Sequence, residues 1–189
     1  MDKKKFLEDY FSQLRQLTNF DSNKINDLIS TSEILIEANN QGKKTMIFGN
    51  GGSAAIASHF SVDLTKNARI RCVNYNESDL LTCFSNDFGY EKWVEKSIEY
   101  YGDKDDSIIL ISSGGNSQNM INGAKKAREM KFKKVITFTG NNKDNKLRKL
   151  GDINFWIDSK AYNLVENAHQ ALLLSIVDLI IGKSEYPPN

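Results

Sequence analysis

The stretch TMIFGNGGSAAIASHFSVDLTK, from Thr45 to Lys66, is the one whose reading decides the fold. Thr45 to Phe48 is a short, mostly apolar run of strand length. Gly49-Asn50-Gly51-Gly52-Ser53 then breaks any regular period, and an Ala-rich helical run follows without a spacer. Glycines in such a loop let the backbone take positive φ and approach a ligand, while Ser53 is placed to cap the helix and leave its first amides facing an anion. The pattern suits a phosphate, with an ordinary tight βα turn as the alternative. There is no Walker lysine and no G-x-G-x-x-G, so no nucleotide cofactor is expected.

A second unit repeats the first. Ser107 to Ile111 is apolar and β-branched, Ser112-Ser113-Gly114-Gly115-Asn116-Ser117 is a loop, and Gln118 to Met130 has helical spacing. Two such loops, each leaving a strand and entering a helix, fit the ligand crevice at the carboxyl ends of an open parallel sheet. Further strands are expected near Arg71 to Tyr75, Val135 to Thr139 and Ile153 to Ile157. A helix is expected from Tyr90 to Tyr101, after a polar break at Ser85-Asn86-Asp87, and a short one follows the polar turn TGNNKDNK. A last helix, Tyr162 to Ile181, carries a broad apolar surface and is expected to be mostly buried. The alternation predicts an α/β fold, a three-layer α/β/α sandwich.

Ahead of the first strand, Phe6, Tyr10, Phe11 and Leu14, then Ile25, Leu28, Ile29, Ile34, Leu35 and Ala38, fall at helical spacing. They predict an N-terminal helical hairpin over residues 1–41, with Asp21 or Ser22 capping its second helix and Gly42 stopping it. Its apolar faces are either an oligomer surface or covered by the domain's own sheet. Residues 185–189, which hold the only prolines, Pro187 and Pro188, are expected to fray.

A chain of 189 residues reads as a single domain that buries about 70% of its unfolded surface. Lys and Arg number 25 against 24 Asp and Glu, so no global field draws the chain to nucleic acid or to an anionic membrane. No secretory leader follows the basic start MDKKKFLEDYF, and no run of membrane-span length is expected. Cys72 and Cys83 lack C-x-x-C spacing, which points to reduced thiols in a cytoplasmic protein. The expected partner is a small molecule.

GNGGSAAIASHF (Gly49 to Phe60), SNDFGYE (Ser85 to Glu91) and ISSGGNSQN (Ile111 to Asn119) together resemble the sugar isomerase (SIS) family, in its phosphoheptose isomerase branch. The resemblance implies a five-stranded parallel sheet, a homotetramer with active sites between subunits, a phosphorylated sugar as substrate, and often a bound zinc. It further implies that Asn50, Gly51, Gly52 and Ser53, with Asn86 and Asp87, contact the sugar phosphate, while Ser112, Ser113 and Ser117 hold its phosphate. Hydroxyls and amides at a helix start can do this without a lysine; a satisfied turn and helix cap is the other reading of a serine loop.

An aldose-ketose isomerase moves a proton between adjacent carbons through an enediol, which needs a base and a group that polarises the carbonyl. His59 and Asp63, four apart, share a helix face and match family positions, although the family's second residue is typically Glu and Asp63 is shorter by about 1.5 Å. Alternatively, His59 is hydrogen-bonded near the loop and Asp63 is a surface acid. On the last helix the family has Gln, His and a ligand His. With His169 as the middle one, Glu166 stands at the Gln position and Leu174 at the ligand histidine. Leucine neither binds metal nor moves protons. The expectation is therefore catalysis by Asp63 and Glu166, with His59, Asp63 and Glu166 as a reduced site for zinc or another divalent metal. Leu174, and Gly114 where the family more often has Ser, also leave open a non-catalytic sugar-phosphate sensor or oligomeric adaptor.

Overall fold

Thr45–Phe48 (β1) and Ser107–Ser112 (β3) lie side by side, fully buried, at the centre of a parallel sheet. Cys72–Val73 (β2) flanks β1, and Lys134–Thr139 (β4) and Ile153–Trp156 (β5) extend the other side, in the order β2-β1-β3-β4-β5. Among the described residues, 1–186 of this computed structural model, these five strands make one sheet. The expected tail falls partly outside them, since Pro187 and Pro188 are not described.

Seven α-helices among the described residues surround the sheet: Lys3–Leu17 (α1), Ser22–Asn40 (α2), Gly52–Lys66 (α3), Ser78–Phe88 (α4), Trp93–Tyr101 (α5), Gln118–Glu129 (α6) and Tyr162–Ile181 (α7). Because strand side chains alternate, β1 and β3 send Ile47, Ile109 and Ile111 to one face and Met46, Phe48, Ile108 and Leu110 to the other. The first set packs with Leu35 of α2, Phe60 and Leu64 of α3, and Leu172, Leu173 and Ile176 of α7. The second packs with Trp93, Val94 and Ile98 of α5 and Met120, Ile121 and Ala124 of α6. Each fully buried Val, Leu, Ile, Phe or Met among them stabilises the fold by about 1.5–3 kcal/mol, which is why the sheet is covered on both faces.

The strands start in a fixed register. Asp106, fully buried before β3, accepts the Lys44 and Asp103 amides at 3.0 and 2.8 Å and pairs with Lys44 Nζ at 2.6 Å. Burial pulls the Lys44 ammonium down, but its hydrogen bonds to Asp103 and Asp106 outweigh that and raise its pKa. The network aligns Thr45 with Ser107, so the two strands start level; β1 ends opposite Leu110 and β3 runs on to Ser112, and their loops open at the same end of the sheet.

Three sequence readings need correction. The triplet Ser85-Asn86-Asp87 does not break the chain but forms the last turn of α4, which ends at Gly89 with φ 90°. Ser53 does not cap α3: Gly51, with φ 54° and ψ −122°, is the cap and Ser53 lies in the first turn, buried. By length and composition alone α7 could cross a membrane, contrary to the expectation of no such run, yet its buried residues lie in the core against α2 and α3. Asp21 does cap α2, accepting the Lys24 amide at 2.8 Å.

Candidate functional site

The chain leaves β1 toward one edge of the sheet and leaves β3 toward the other, so a crevice opens at their carboxyl ends. Two turns form its walls. In the first, positive φ at Gly51 reverses the backbone into α3, a geometry that disfavours any residue with a Cβ. Gly52 is needed for a different reason: a Cβ there would run into the Glu166 carboxylate, which reaches over from α7. In the second, Ser112 Oγ lies 3.0 Å from Ser117 Oγ and accepts the Gly115 amide at 3.1 Å. Ser113 Oγ lies 3.4 Å from Ser53 Oγ and donates to Glu166 Oε1 at 3.4 Å, tying both turns to α7.

Between them lies a cleft of about 410 Å³, lined by Asn50, Ser53, Ile111, Ser112, Ser113, Gly114, Asn116, Ser117, Asn141, Tyr162 and Glu166. No lysine or arginine is in this set; anion affinity has to come from hydroxyls and from the first amides of α6, whose Ser117 cap makes no side-chain cap bond. Asn50 is partly committed elsewhere, exchanging two amide hydrogen bonds with Asn119 at 3.1 and 2.8 Å and accepting from the Tyr90 hydroxyl at 3.0 Å.

Glu166 also lines a neighbouring groove of about 270 Å³ between α3 and α7, bounded by Tyr10, Gly52, Ala55, Ile56, Asn163, Asn167 and Gln170. At the groove's far end the Gln170 amide lies 2.8 Å from His59 Nδ1, and His59 Nε2 lies 3.3 Å from Asp63 Oδ2. At a rise of about 1.5 Å per residue, His59 sits about 10 Å along α3 from Gly52.

The sequence-derived residues thus separate into groups. Asn50, Ser53, Ser112, Ser113, Ser117 and Glu166 line the cleft, and Gly51 and Gly52 shape it. His59 and Asp63 pair with each other beyond the groove and do not line the cleft. Asn86 and Asp87 are exposed on α4 and hydrogen-bond one another at 2.9 Å; neither reaches the cleft within this chain, because both fall in the last turn of α4. Asn119, Asn141, Tyr162 and Gln170 were missed. Asn141 had a signal, since Gly140-Asn141-Asn142 leaves β4 as a third polar strand-to-loop turn, and Gln170 stands one helical turn from Glu166.

The divalent metal implied by the resemblance does not fit this donor set. Among the described residues no three His, Cys, Asp or Glu converge on a point that could hold an ion. Glu166 is drawn toward Ser113 and Gly52, the His59 Nδ1 lone pair is met by Gln170, and Leu174 offers no donor. His59, Asp63 and Glu166 therefore do not assemble the expected three-ligand site.

A parallel sheet with two glycine- and serine-rich turns meeting over its central strands defines the class, and the chain belongs to the SIS domain family, with residues 9–140 matching it. Within that family it is similar to phosphoheptose isomerases. It is 30% identical to the one from Buchnera aphidicola subsp. Acyrthosiphon pisum, over 97% of both chains. It is 34% identical to that of Aliarcobacter butzleri, over 75% of this chain and 77% of the other. The solved phosphoheptose isomerase from Neisseria gonorrhoeae superposes with a TM-score of 0.86 at 24% identity, covering 94% of this chain and 98% of that one.

Proposed function

We propose that this protein is a sugar-phosphate aldose-ketose isomerase acting on sedoheptulose 7-phosphate or a related ketose phosphate, in the formation of heptose for surface polysaccharide. The observation that carries the reading is the shared wall at Glu166, which joins the cleft between the two turns to a groove ending at His59 and Asp63. The Glu166 carboxylate, which accepts from Ser113 Oγ, repels a phosphate dianion toward the Ser112 and Ser117 hydroxyls and the first amides of α6. The carbon chain then runs past Glu166 along the groove. Seven carbons with bonds of about 1.5 Å span about 8 Å when extended, close to the stretch of α3 between Ser53 and His59. Asn50, Gly51, Gly52 and Ser53 form the wall along which the chain lies, and Glu166, with the His59–Asp63 pair at the groove's end, supplies the acid/base groups. Asn86 and Asp87, too distant within one chain, approach a site only from a neighbouring subunit.

That neighbour is a second copy of the chain. No residue of α1 is buried, and Phe6 and Phe11, 54% and 53% exposed, form a half-covered apolar stripe with Leu7. We propose that this face is closed in a homo-oligomer, most simply a tetramer.

Mass-spectrometric detection of aldose phosphate formed from ketoheptose and ketohexose phosphates tests the reading. Turnover is expected to favour the seven-carbon substrate, with Ser112→Ala and Ser117→Ala raising KM at least tenfold. Equal KM for these variants and the parent would remove the serine turn from phosphate binding. Leu174 favours one second reading, a sugar-phosphate sensor; it requires binding without any turnover.

A further inference from the structure

The mismatch between this chain and a metal site has a counterpart in what the same residues do instead. The Asp63 carboxylate faces His59 Nε2 at 3.3 Å without a well-aligned hydrogen bond, and its negative charge favours the imidazole proton on that nitrogen. Nδ1 is then a bare lone pair, and the Gln170 amide that meets it at 2.8 Å must present its NH₂ group. Gln170 lines the groove, so the lone pair is held at the groove's end rather than turned into the core. The imidazole side chain is 47% exposed and the Asp63 carboxylate 24%. Of the two it is His59 that stands nearer the substrate path, with Asp63 one turn behind it.

Resting on the isomerase reading above, we infer that His59 is the proton-transfer base of the reaction. Asp63 is its positioning residue and fixes the tautomer, Gln170 orients the lone pair until substrate takes its place, and no metal polarises the carbonyl. On a ketose phosphate, His59 Nδ1 removes the proton from carbon 1. The C1–H electron pair becomes the C1=C2 bond while the carbonyl pair moves to O2. Glu166 takes the O1 proton and delivers it to O2; C1=O forms, and the imidazolium returns its proton to carbon 2. C–H and O–H bonds broken and formed balance, and no oxidant or reductant is consumed. Orientation of a base by a carboxylate through the other ring nitrogen is a well-understood device, and here it explains why a shorter Asp is tolerated: it has to reach the imidazole, not the sugar.

The test uses the full-length protein, stripped of metal and checked by elemental analysis, with sedoheptulose 7-phosphate as probe. ¹⁵N spectra of the two histidines give a readout independent of turnover, because His59 is expected as the Nε2–H tautomer in the parent and as a mixture in Asp63→Ala. Stripped parent is expected to keep its full rate. His59→Gln is expected to lose 10²- to 10⁴-fold in kcat with KM within about threefold, and Gln170→Ala to lose less. A parent that turns over, with His59→Gln within threefold of its rate, overturns the assignment of the base while leaving the isomerase reading intact. A rate that vanishes on stripping and returns with zinc does the same. A parent that binds the sugar and never converts it overturns both. His59 lies on the open side of α3, and unchanged circular dichroism shows that the variants fold.

Discussion

Gly51 and Gly52 are neighbours in one turn but are glycine for unrelated reasons, and their alanine variants should part company. At Gly51, φ 54° with ψ −122° strains any Cβ, so Gly51→Ala is expected to cost at least about 1 kcal/mol in urea unfolding. At Gly52 the new methyl meets only the carboxylate end of a flexible glutamate. Stability should hold within about 0.5 kcal/mol while turnover falls about 10²-fold as Glu166 is displaced. Equal turnover in Gly52→Ala and the parent would take Glu166 out of the reaction. His169 makes a second prediction. Fully buried, it donates Nε2–H to the Thr139 carbonyl at 3.1 Å, and its Nδ1 meets no donor among the described residues. Burial pushes its pKa down to about 4. Between an unfolded value of about 6.5 and that number the unfolded chain takes up a proton that the fold refuses. Stability is therefore full above this window and is lost as pH falls through it. From pH 7 to pH 5 this group's loss should be about 2 kcal/mol by urea unfolding, and His169→Gln, which keeps a donor for Thr139, should abolish that part of the slope.

At the level of elements, strands and long helices were legible because their signal is periodic and local. β1, β3 and β4 are short apolar runs each closely followed by a glycine, and α2 and α7 repeat apolar residues every three or four positions. What was not legible was decided by single backbone angles. Ser85-Asn86-Asp87 has the composition of a turn, yet α4 runs through it and ends two residues later, at Gly89 with φ 90°. Ser53 has the chemistry of a cap, but the reversal at Gly51 starts the helix two residues too early for it to serve as one. The exposed stripe of α1 was legible as an apolar face, and the described residues leave its Phe6, Leu7 and Phe11 about half exposed. Phe11→Glu on this stripe is expected to leave the helical signal unchanged while lowering the mass measured by light scattering to that of a smaller assembly. An unchanged mass would free α1 from any role in assembly. In the core, Leu172→Ala on α7 is expected to cost 2–5 kcal/mol, since Leu172 is fully buried beneath the sheet.

For the molecule as a whole, the parallel order β2-β1-β3-β4-β5 brings two turns 60 residues apart in sequence to one cleft, with Ser53 and Ser113 Oγ atoms at 3.4 Å. That meeting was readable, because each turn announces itself between a strand and a helix. The path leading away from it was not: it depends on α7 lying beside α3, which sets Glu166 against Gly52 and Gln170 against His59. No spacing along a single helix could show it. The central claim is that a ketose phosphate held in this path exchanges a carbon-bound proton with a protein base. The most direct measurement is NMR of sedoheptulose 7-phosphate incubated with the protein in heavy water. The expected result is deuterium at carbon 1 of the ketose and at carbon 2 of the aldose formed from it. A sugar that is bound by the protein but keeps both positions protonated after prolonged incubation would contradict it.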